Sequence, residues 1–164
     1  GSVYAGSTAY GQGKAAAEAA LPSALHARIF NPFGPGERPT RLIASLVAGA
    51  AAGRAEVELG IPPWHRSQPI AVADVAAMLV ALLAADRTGV LDMAGRESLD
   101  AEALVRRIYA AIAPGLEPEI AFPEPGDGDW LADAVDPTPA EVATGVVPTP
   151  LDDALRAYAA ALRA

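Results

Sequence analysis

A tyrosine and a lysine, Tyr10 and Lys14, stand four residues apart near the beginning of the chain. The alanine-rich segment around them predicts a helix, and residues four apart leave a helix on the same face. An ammonium group beside a phenol favours the phenolate, so this pairing would allow Tyr10 to give and take a proton. Gly11 and Gly13 remove side chains from the adjacent surface, where a flat ring could then approach the backbone.

The composition of the chain draws further attention to this pair. Lys14 is the single lysine in a sequence that contains eleven arginines. The alternative interpretation is an ordinary solvated helix in which Lys14 is a surface charge. Spacing alone does not decide between the two.

Length, charge and composition exclude several classes of function. The 164 residues, 52% of them hydrophobic, are enough for one domain with a sizeable core. The net charge of −8, without a basic cluster, disfavours nucleic acids and anionic membranes as partners. There is no cysteine, which excludes thiol nucleophiles, disulfides and thiolate metal sites, and we expect no metal site. The longest apolar run, Val75 to Ala85, is too short to span a bilayer, so we expect a soluble, cytoplasmic protein.

The next candidate site follows a predicted strand. Ala24 to Phe30 reads as a short buried strand, and a dense turn signal from Asn31 to Gly36 follows it. Open α/β sheets place ligand contacts beyond the carboxyl ends of their strands. Asn31 is therefore a candidate ligand-facing amide, and the alternative is an Asx turn that holds the loop together.

A third candidate residue lies in a loop that follows a helix and a strand. The pattern predicts the helix from Pro39 to Ala52 and the strand from Val57 to Leu59. In the loop beyond them, Arg66 is the residue of interest because a guanidinium group can bind phosphate oxygens in two directions. We expect His65 to be solvated and Trp64 to cover the core, with stacking on a ligand ring as its alternative role.

The remaining residues predict three helices and a loop-rich segment. We expect one helix capped by Asp74, a strand from Thr88 to Met93 and a second helix capped by Ser98. Pro114 to Pro150, with eight of the fifteen prolines, reads as loop, and the last helix begins at Thr149-Pro150. The apolar positions that we expect to be buried are Val75, Met78, Leu79, Leu82 and Leu83 in the first helix, Leu104, Val105, Ile108 and Ile112 in the second, and Leu151, Leu155, Tyr158 and Leu162 in the last.

Five motifs, in this order, resemble the extended short-chain dehydrogenase/reductase family of NAD(P)-dependent sugar-nucleotide epimerases, dehydratases and ketoreductases. They are Tyr10-Gly-Gln-Gly-Lys14 (YxxxK) with Glu18, Arg28-Ile-Phe-Asn31-Pro-Phe-Gly-Pro-Gly36, Arg66 ahead of Ile70-Ala-Val72-Ala-Asp74, Gly89-Val-Leu-Asp-Met93, and Asp136-Pro-Thr-Pro-Ala140 before the last helix. Each motif is weak alone, and the resemblance rests on all five occurring in sequence order across most of the chain.

The resemblance implies roles for particular residues. Tyr10 would be the acid/base at the carbinol oxygen of the sugar, and Lys14 would hold the nicotinamide ribose of NAD or NADP. Phe30 would join these two residues in contacting the cofactor. Asn31 and Arg66 would bind the diphosphate of a nucleotide-sugar substrate.

The sequence departs from the family pattern in three places. The family's catalytic hydroxyl lies a dozen or more residues before the tyrosine, and Ser7 is the nearest substitute here. Arg66 stands one residue farther from the Ile-x-Val-x-Asp run than in the family. These 164 residues also contain no Gly-x-x-Gly-x-x-Gly turn for the cofactor diphosphate, so we expect them to bind NAD(P) weakly by themselves.

The resemblance implies an α/β fold, namely the C-terminal half of a Rossmann-like domain with a small substrate-binding subdomain. Residues 1–60 would carry the YxxxK helix and the following strand and helix of the Rossmann-like domain. Residues 61–164 would be mostly substrate-binding subdomain, with interleaved Rossmann elements. The implied function is part of a sugar-nucleotide oxidoreductase, with a homodimer or a complementing N-terminal half as partner. The alternative is a non-catalytic sugar-nucleotide-binding or structural fragment that cannot hold NAD(P) alone.

Overall fold

The structure is a computed structural model that describes residues 8–122, 124 and 133–162. Helices and short strands alternate along this part of the chain. They are α1 (Ala9–Ala20), β1 (Leu25–Ile29), β2 (Pro32–Phe33), α2 (Leu42–Ala51), β3 (Glu56–Glu58), β4 (Arg66–Ser67), β5 (Ile70–Ala71), α3 (Val72–Leu83), β6 (Gly89–Met93), β7 (Leu99–Asp100), α4 (Ala101–Ile112), β8 (Glu119–Ala121), α5 (Thr138–Thr144) and α6 (Leu151–Ala161).

The strands form four pairs, and three of these pairs are parallel. The longest joins β1 to β6 over five residues, with Leu25 opposite Gly89 and Ile29 opposite Met93. β2 pairs with β5 and β3 with β8, both parallel, whereas β4 and β7 are antiparallel. Parallel pairing requires long crossovers between partners, and helices fill them here, which confirms the predicted α/β class.

The larger hydrophobic core lies between three helices. Apolar side chains of α2, α4 and α6 interdigitate, and Phe33 packs against this cluster with its ring centroid 6.2 Å from that of Tyr158. Fully buried members include Val47, Val105 and Leu155. The helical periodicity of the sequence therefore predicted the buried faces of these helices correctly. The exception is Leu162, which was expected on the buried face of the last helix and is exposed.

A second cluster lies beneath the longest strand pair. Ile70, Val75, Met78, Leu82 and Met93 are buried together with Ala140 of α5. Leu25, Ala27 and Leu91, on one face of the β1–β6 pair, pack against it. The expected inward face of α3 is thus right at three positions and wrong at its edge, since Leu79 and Leu83 are exposed.

The two expected helix caps are wrong. Ala71 occupies the N-cap position of α3 without a side-chain bond, and Asp74 instead accepts hydrogen bonds from the backbone N–H and hydroxyl of Thr149 at 2.8 and 3.0 Å. Asp100 caps α4 by accepting from the Ala103 N–H at 2.8 Å. Ser98 is left outside that helix and binds Arg66.

The proline-rich segment contains more regular structure than its sequence predicts. β8 pairs with β3, and α5 begins with a proline in its first turn and ends at Gly145, whose φ is 68°. Proline is compatible with a first helical turn and glycine with a left-handed C-terminal cap, so both breakers mark the ends of α5.

Within the part of the chain that the structure describes, no helix combines the length and the apolar character needed to cross a bilayer.

Replacing Leu155 tests the packing of the larger core. Leu155 is completely buried between α2 and α4, so we expect Leu155→Ala to lower the free energy of unfolding by about 2–4 kcal/mol. Leu83→Ala is the matched control, because Leu83 is 87% exposed, and it should change stability by less than about 0.5 kcal/mol. Denaturant unfolding followed by circular dichroism measures both, and equal losses in the two variants would contradict this packing.

Candidate functional site

The Tyr10 and Lys14 side chains lie on the same face of α1. The helix begins after Thr8, whose Oγ1 accepts a hydrogen bond from the Gly11 N–H at 3.1 Å. Lys14 Nζ lies 5.6 Å from the centroid of the Tyr10 ring, within the range of a cation–π contact. The arrangement is the one that the four-residue spacing predicts, and it leaves both side chains accessible to a ligand, with Tyr10 73% exposed.

The helix that carries this pair is mostly exposed, and an ion pair joins it to β1 near its C-terminal end. Gly11 is its only buried residue. Arg28 Nε in β1 donates to Glu18 Oε1 at 2.8 Å, which ties the last turns of α1 to the strand. This hydrogen bond and the nearby charge of Arg28 lower the pKa of Glu18. Tyr10 and Lys14 thus project from an exposed face of this helix.

Phe30 is the other residue expected to contact the cofactor, and Ser7 is the expected catalytic hydroxyl. Phe30 follows β1, is half-buried, and donates its backbone N–H to the Met93 carbonyl at 2.9 Å. Ser7 lies outside the residues that the structure describes. The role of Ser7 as a catalytic hydroxyl stays a prediction.

Asn31 takes part in holding two loops together. Its φ of 45° is in the left-handed region, and its Oδ1 accepts a hydrogen bond from the Gln68 N–H at 3.0 Å. Its carbonyl accepts from the Ile70 N–H at 3.3 Å. The amide oxygen therefore has a structural use, as in the alternative interpretation, although its partner lies in a distant loop and not in an Asx turn.

A cleft of about 480 Å³ lies beside Asn31. Its lining includes one basic side chain, two acidic ones and two buried polar ones, namely Arg41, Glu37, Glu58, His65 and Ser67. His65 is 8% exposed, so the expectation that it is solvated is wrong. Burial lowers the pKa of His65, which favours the neutral imidazole near pH 7.

Arg66 faces a different cleft. Its Nε donates to Ser98 Oγ at 2.9 Å and its Nη2 to the Ser98 carbonyl at 2.7 Å. It lines a cleft of about 560 Å³ together with Trp64, which is 50% exposed and does not cover the core as expected. Successive residues of an extended segment point to opposite sides, so Arg66 and Trp64 face one cleft while His65 and Ser67 face the other. The structure does not bring Arg66 and Asn31 to a common site.

Glu37 and Ser67 are site residues that the sequence interpretation missed. Glu37 follows the Asn31 turn, and burial raises the pKa of its carboxyl, with Arg41 at 3.7 Å opposing that effect. Ser67 is buried at the position that faces the Asn31 cleft. Arg66 and Ser67 are consecutive strand residues, so their side chains were expected to point to opposite sides. The local sequence does not show which of the two sides faces the cleft.

No protein-family model and no curated protein matches the chain. Solved structures do share its fold. The NAD-dependent NDP-hexosamine 5,6-dehydratase TunA, involved in tunicamycin biosynthesis, aligns with a TM-score of 0.73 and 24% identity over 92% of this chain and 50% of its own. The dTDP-glucose 4,6-dehydratase of Bacillus anthracis, in complex with NAD, aligns with a TM-score of 0.77 and 17% identity over 95% of this chain and 52% of its own.

A third solved structure gives the same result. The UDP-N-acetylglucosamine 4-epimerase of Methanobrevibacter ruminantium, in complex with UDP-N-acetylmuramic acid, aligns with a TM-score of 0.73 and 19% identity over 94% of this chain and 53% of its own. The chain thus spans about half the length of these structures. At such identities the similarity establishes the fold, and it confirms the predicted partial Rossmann-like α/β architecture.

Because the carboxyl of Glu37 is buried, we expect the free energy of unfolding to depend on pH. Burial raises the pKa of this carboxyl in the folded state above the value in the unfolded chain. The free energy of unfolding therefore falls as pH rises from the unfolded-state pKa through the folded-state pKa. We expect Glu37→Gln to be more stable relative to the parent at about pH 7 than at about pH 4. Chemical unfolding at several pH values measures this difference.

Glu117→Gln is the control for that measurement, because the Glu117 side chain is 88% exposed. Its stability relative to the parent should vary by less than about 0.5 kcal/mol over the same pH range. A Glu37→Gln profile that is equally flat would show that the Glu37 carboxylate is not desolvated.

Proposed function

We propose that this chain is the catalytic and substrate-binding portion of an NAD(P)-dependent sugar-nucleotide oxidoreductase of the extended short-chain dehydrogenase/reductase family. Its reaction would be 4-epimerisation, dehydration or 4-ketone reduction. The observation that carries the proposal is the placement of Tyr10 and Lys14 on one exposed face of α1. The fold, which the chain shares with enzymes whose names specify nucleotide-sugar substrates, supports the same conclusion.

The Tyr10 hydroxyl would perform the proton transfer. It would take the proton of the sugar carbinol during oxidation and return it during reduction. The Lys14 ammonium lies 5.6 Å from the centroid of the Tyr10 ring, so both side chains can contact the same ligand. The pair therefore provides general acid–base chemistry without a metal ligand or a thiol.

The residues present fit one end of NAD or NADP. Lys14 carries three N–H donors on an exposed helix face, which suits the hydroxyl groups of a nicotinamide ribose. We propose that Tyr10, Lys14 and Phe30 contact that end of the cofactor. When bound, NAD(P) supplies the carbon that exchanges hydride with the sugar.

The sugar nucleotide would occupy the cleft beside Asn31. That cleft is open to solvent, contains hydrogen-bonding side chains and lies beyond the carboxyl end of β1, where α/β sheets bind ligands. Arg66, which the family resemblance implies as a diphosphate clamp, lies on the other side of β4 and is hydrogen-bonded to Ser98. We therefore assign substrate binding to the Asn31 side.

A partner would complete the cofactor site. Within the described residues, β1 pairs with β6 along one edge only, and α1 leaves Tyr10 and Leu21 exposed. Parallel sheets are normally covered on both faces and extended by further strands. We propose that an N-terminal cofactor-binding half extends β1, and that α1 is available for contact with a second copy in a homodimer.

The second candidate is a fragment that binds sugar nucleotides without catalysis. The observation that favours it is the lining of the Asn31 cleft, whose described residues do not include Tyr10 or Lys14. Sugar-nucleotide binding without turnover, even when NAD(P) and the complementing half are supplied, would distinguish this candidate from the enzyme.

Replacing the tyrosine tests the proposed chemistry. In the assembled enzyme, we expect Tyr10→Phe to reduce kcat by about 10²–10⁴-fold, because only the transferable proton is lost. KM for the sugar nucleotide should stay within about threefold of the parent, since the ring remains. Turnover is followed by nicotinamide absorbance.

Gln12→Ala is the control, because position 12 lies on the opposite face of the same helical turn. Its kcat should stay close to that of the parent. If Tyr10→Phe retains activity within tenfold of the parent, Tyr10 is not the acid/base.

A further inference from the structure

Two buried polar atoms in the Asn31 cleft have no hydrogen-bond partner among the described residues. They are Ser67 Oγ and Glu37 Oε2. Ser67 is 1% exposed, and both residues line the same cleft of about 480 Å³. Buried polar groups are nearly always paired, because leaving a donor or an acceptor unpaired away from water is unfavourable. Two such atoms in one cleft indicate a ligand that pairs with both.

The charges around these atoms do not favour a phosphate. The lining contains two acidic side chains, Glu37 and Glu58, and Arg41 is the single basic side chain among its described residues, at 3.7 Å from Glu37. Arg66 is directed to the other cleft. A ligand group close to Glu37 is therefore not an anion and offers a hydrogen to the carboxyl group.

The two side chains differ in the hydrogen bonds that they can form. An ionised carboxylate only accepts, whereas a serine hydroxyl both donates and accepts. A pair of adjacent hydroxyl groups matches this combination, because one can donate to Glu37 while the other exchanges a hydrogen bond with Ser67. A phosphate oxygen could accept from Ser67 but would be repelled by Glu37.

We infer that Ser67 and Glu37 form a recognition site for the vicinal hydroxyl groups of a sugar ring. The inference rests on the proposed function, which supplies the sugar nucleotide as ligand. Such a ligand carries two rings with adjacent hydroxyls, the ribose and the hexose, and the same pair of side chains suits either. The site provides specificity, since neither residue has a part in proton transfer.

Calorimetric titration with UDP-glucose and UDP tests this site. We expect Ser67→Ala and Glu37→Gln each to weaken UDP-glucose binding by about tenfold, as for the loss of one hydrogen bond to a buried group. Glu117→Gln, which removes an exposed carboxylate outside the cleft, should bind like the parent. Equal losses for UDP assign the site to the ribose, and losses confined to UDP-glucose assign it to the hexose.

Two results of this titration would overturn the inference. Tighter binding by Glu37→Gln would place a phosphate beside this residue, because the substitution removes a repulsive charge. Unchanged binding by both variants would mean that solvent alone pairs with the two atoms.

Stability measurements separate a recognition role from a structural one. Ser67→Ala removes a buried hydroxyl that has no protein partner, so we expect its thermal midpoint to equal or exceed that of the parent. A clearly lower midpoint would show that Ser67 Oγ stabilises the fold, and the recognition role would then be wrong.

Simple sugars distinguish failure of the site from failure of the proposed function. If the parent binds no nucleotide, uridine and methyl glucoside can be titrated at high concentration and followed by the amide resonances of residues 37 and 67. Shifts that disappear in Ser67→Ala would support the recognition site while refuting the sugar-nucleotide function. No shifts with either probe would refute both.

Discussion

The side chain of Gln68 joins three separate parts of the chain inside the structure. Its Nε2 donates to the Gly95 and Val135 carbonyls at 3.3 and 2.9 Å, and its Oε1 accepts from the Val135 N–H at 2.7 Å. Its own backbone N–H donates to Asn31 Oδ1. A buried amide with all of these partners permits one placement of the loop that carries it, because any shift would leave several buried groups unpaired.

That placement determines which side chains face each cleft. Gly95 passes so close to the Gln68–Pro69 segment that a Cβ at its position would lie 2.0 Å from the Pro69 carbonyl oxygen, so only glycine permits this approach. With Gln68 held in this way, Ser67 faces the Asn31 cleft and Arg66 faces Ser98. A shift of one residue would exchange the two side chains and place a cation where the structure has a hydroxyl.

Local sequence patterns predicted most of the helices, the two strands that form the longest pair, and the common face of Tyr10 and Lys14. The latter needs only helix geometry, since residues four apart are neighbours in any helix. The two helix caps were predicted wrongly because each side chain has a partner that is distant in sequence. Asp74 contacts Thr149, and Ser98 contacts Arg66. Short-range patterns cannot show such contacts.

The predicted exposures of Trp64 and His65, in the loop before β4, are both wrong for the same reason. His65 is buried and Trp64 is exposed, although residue type favours the reverse. The facing of a two-residue strand depends on hydrogen bonds to distant segments, and here Gln68 provides them. The candidate site was therefore predictable on α1 and at Asn31, whereas Glu37 and Ser67 required the structure.

The absence of cysteine from the chain makes thiol labelling the most direct measurement of this register. Single substitutions Ser67→Cys and Arg66→Cys would each introduce one thiol, and their rates of reaction with a small disulfide reagent can be compared. We expect the thiol at position 67 to react at least about tenfold more slowly than that at position 66, because reactivity follows exposure and residue 67 is 1% exposed. Equal rates, or a faster reaction at position 67, would contradict the register in which Ser67 is buried and Arg66 is more accessible.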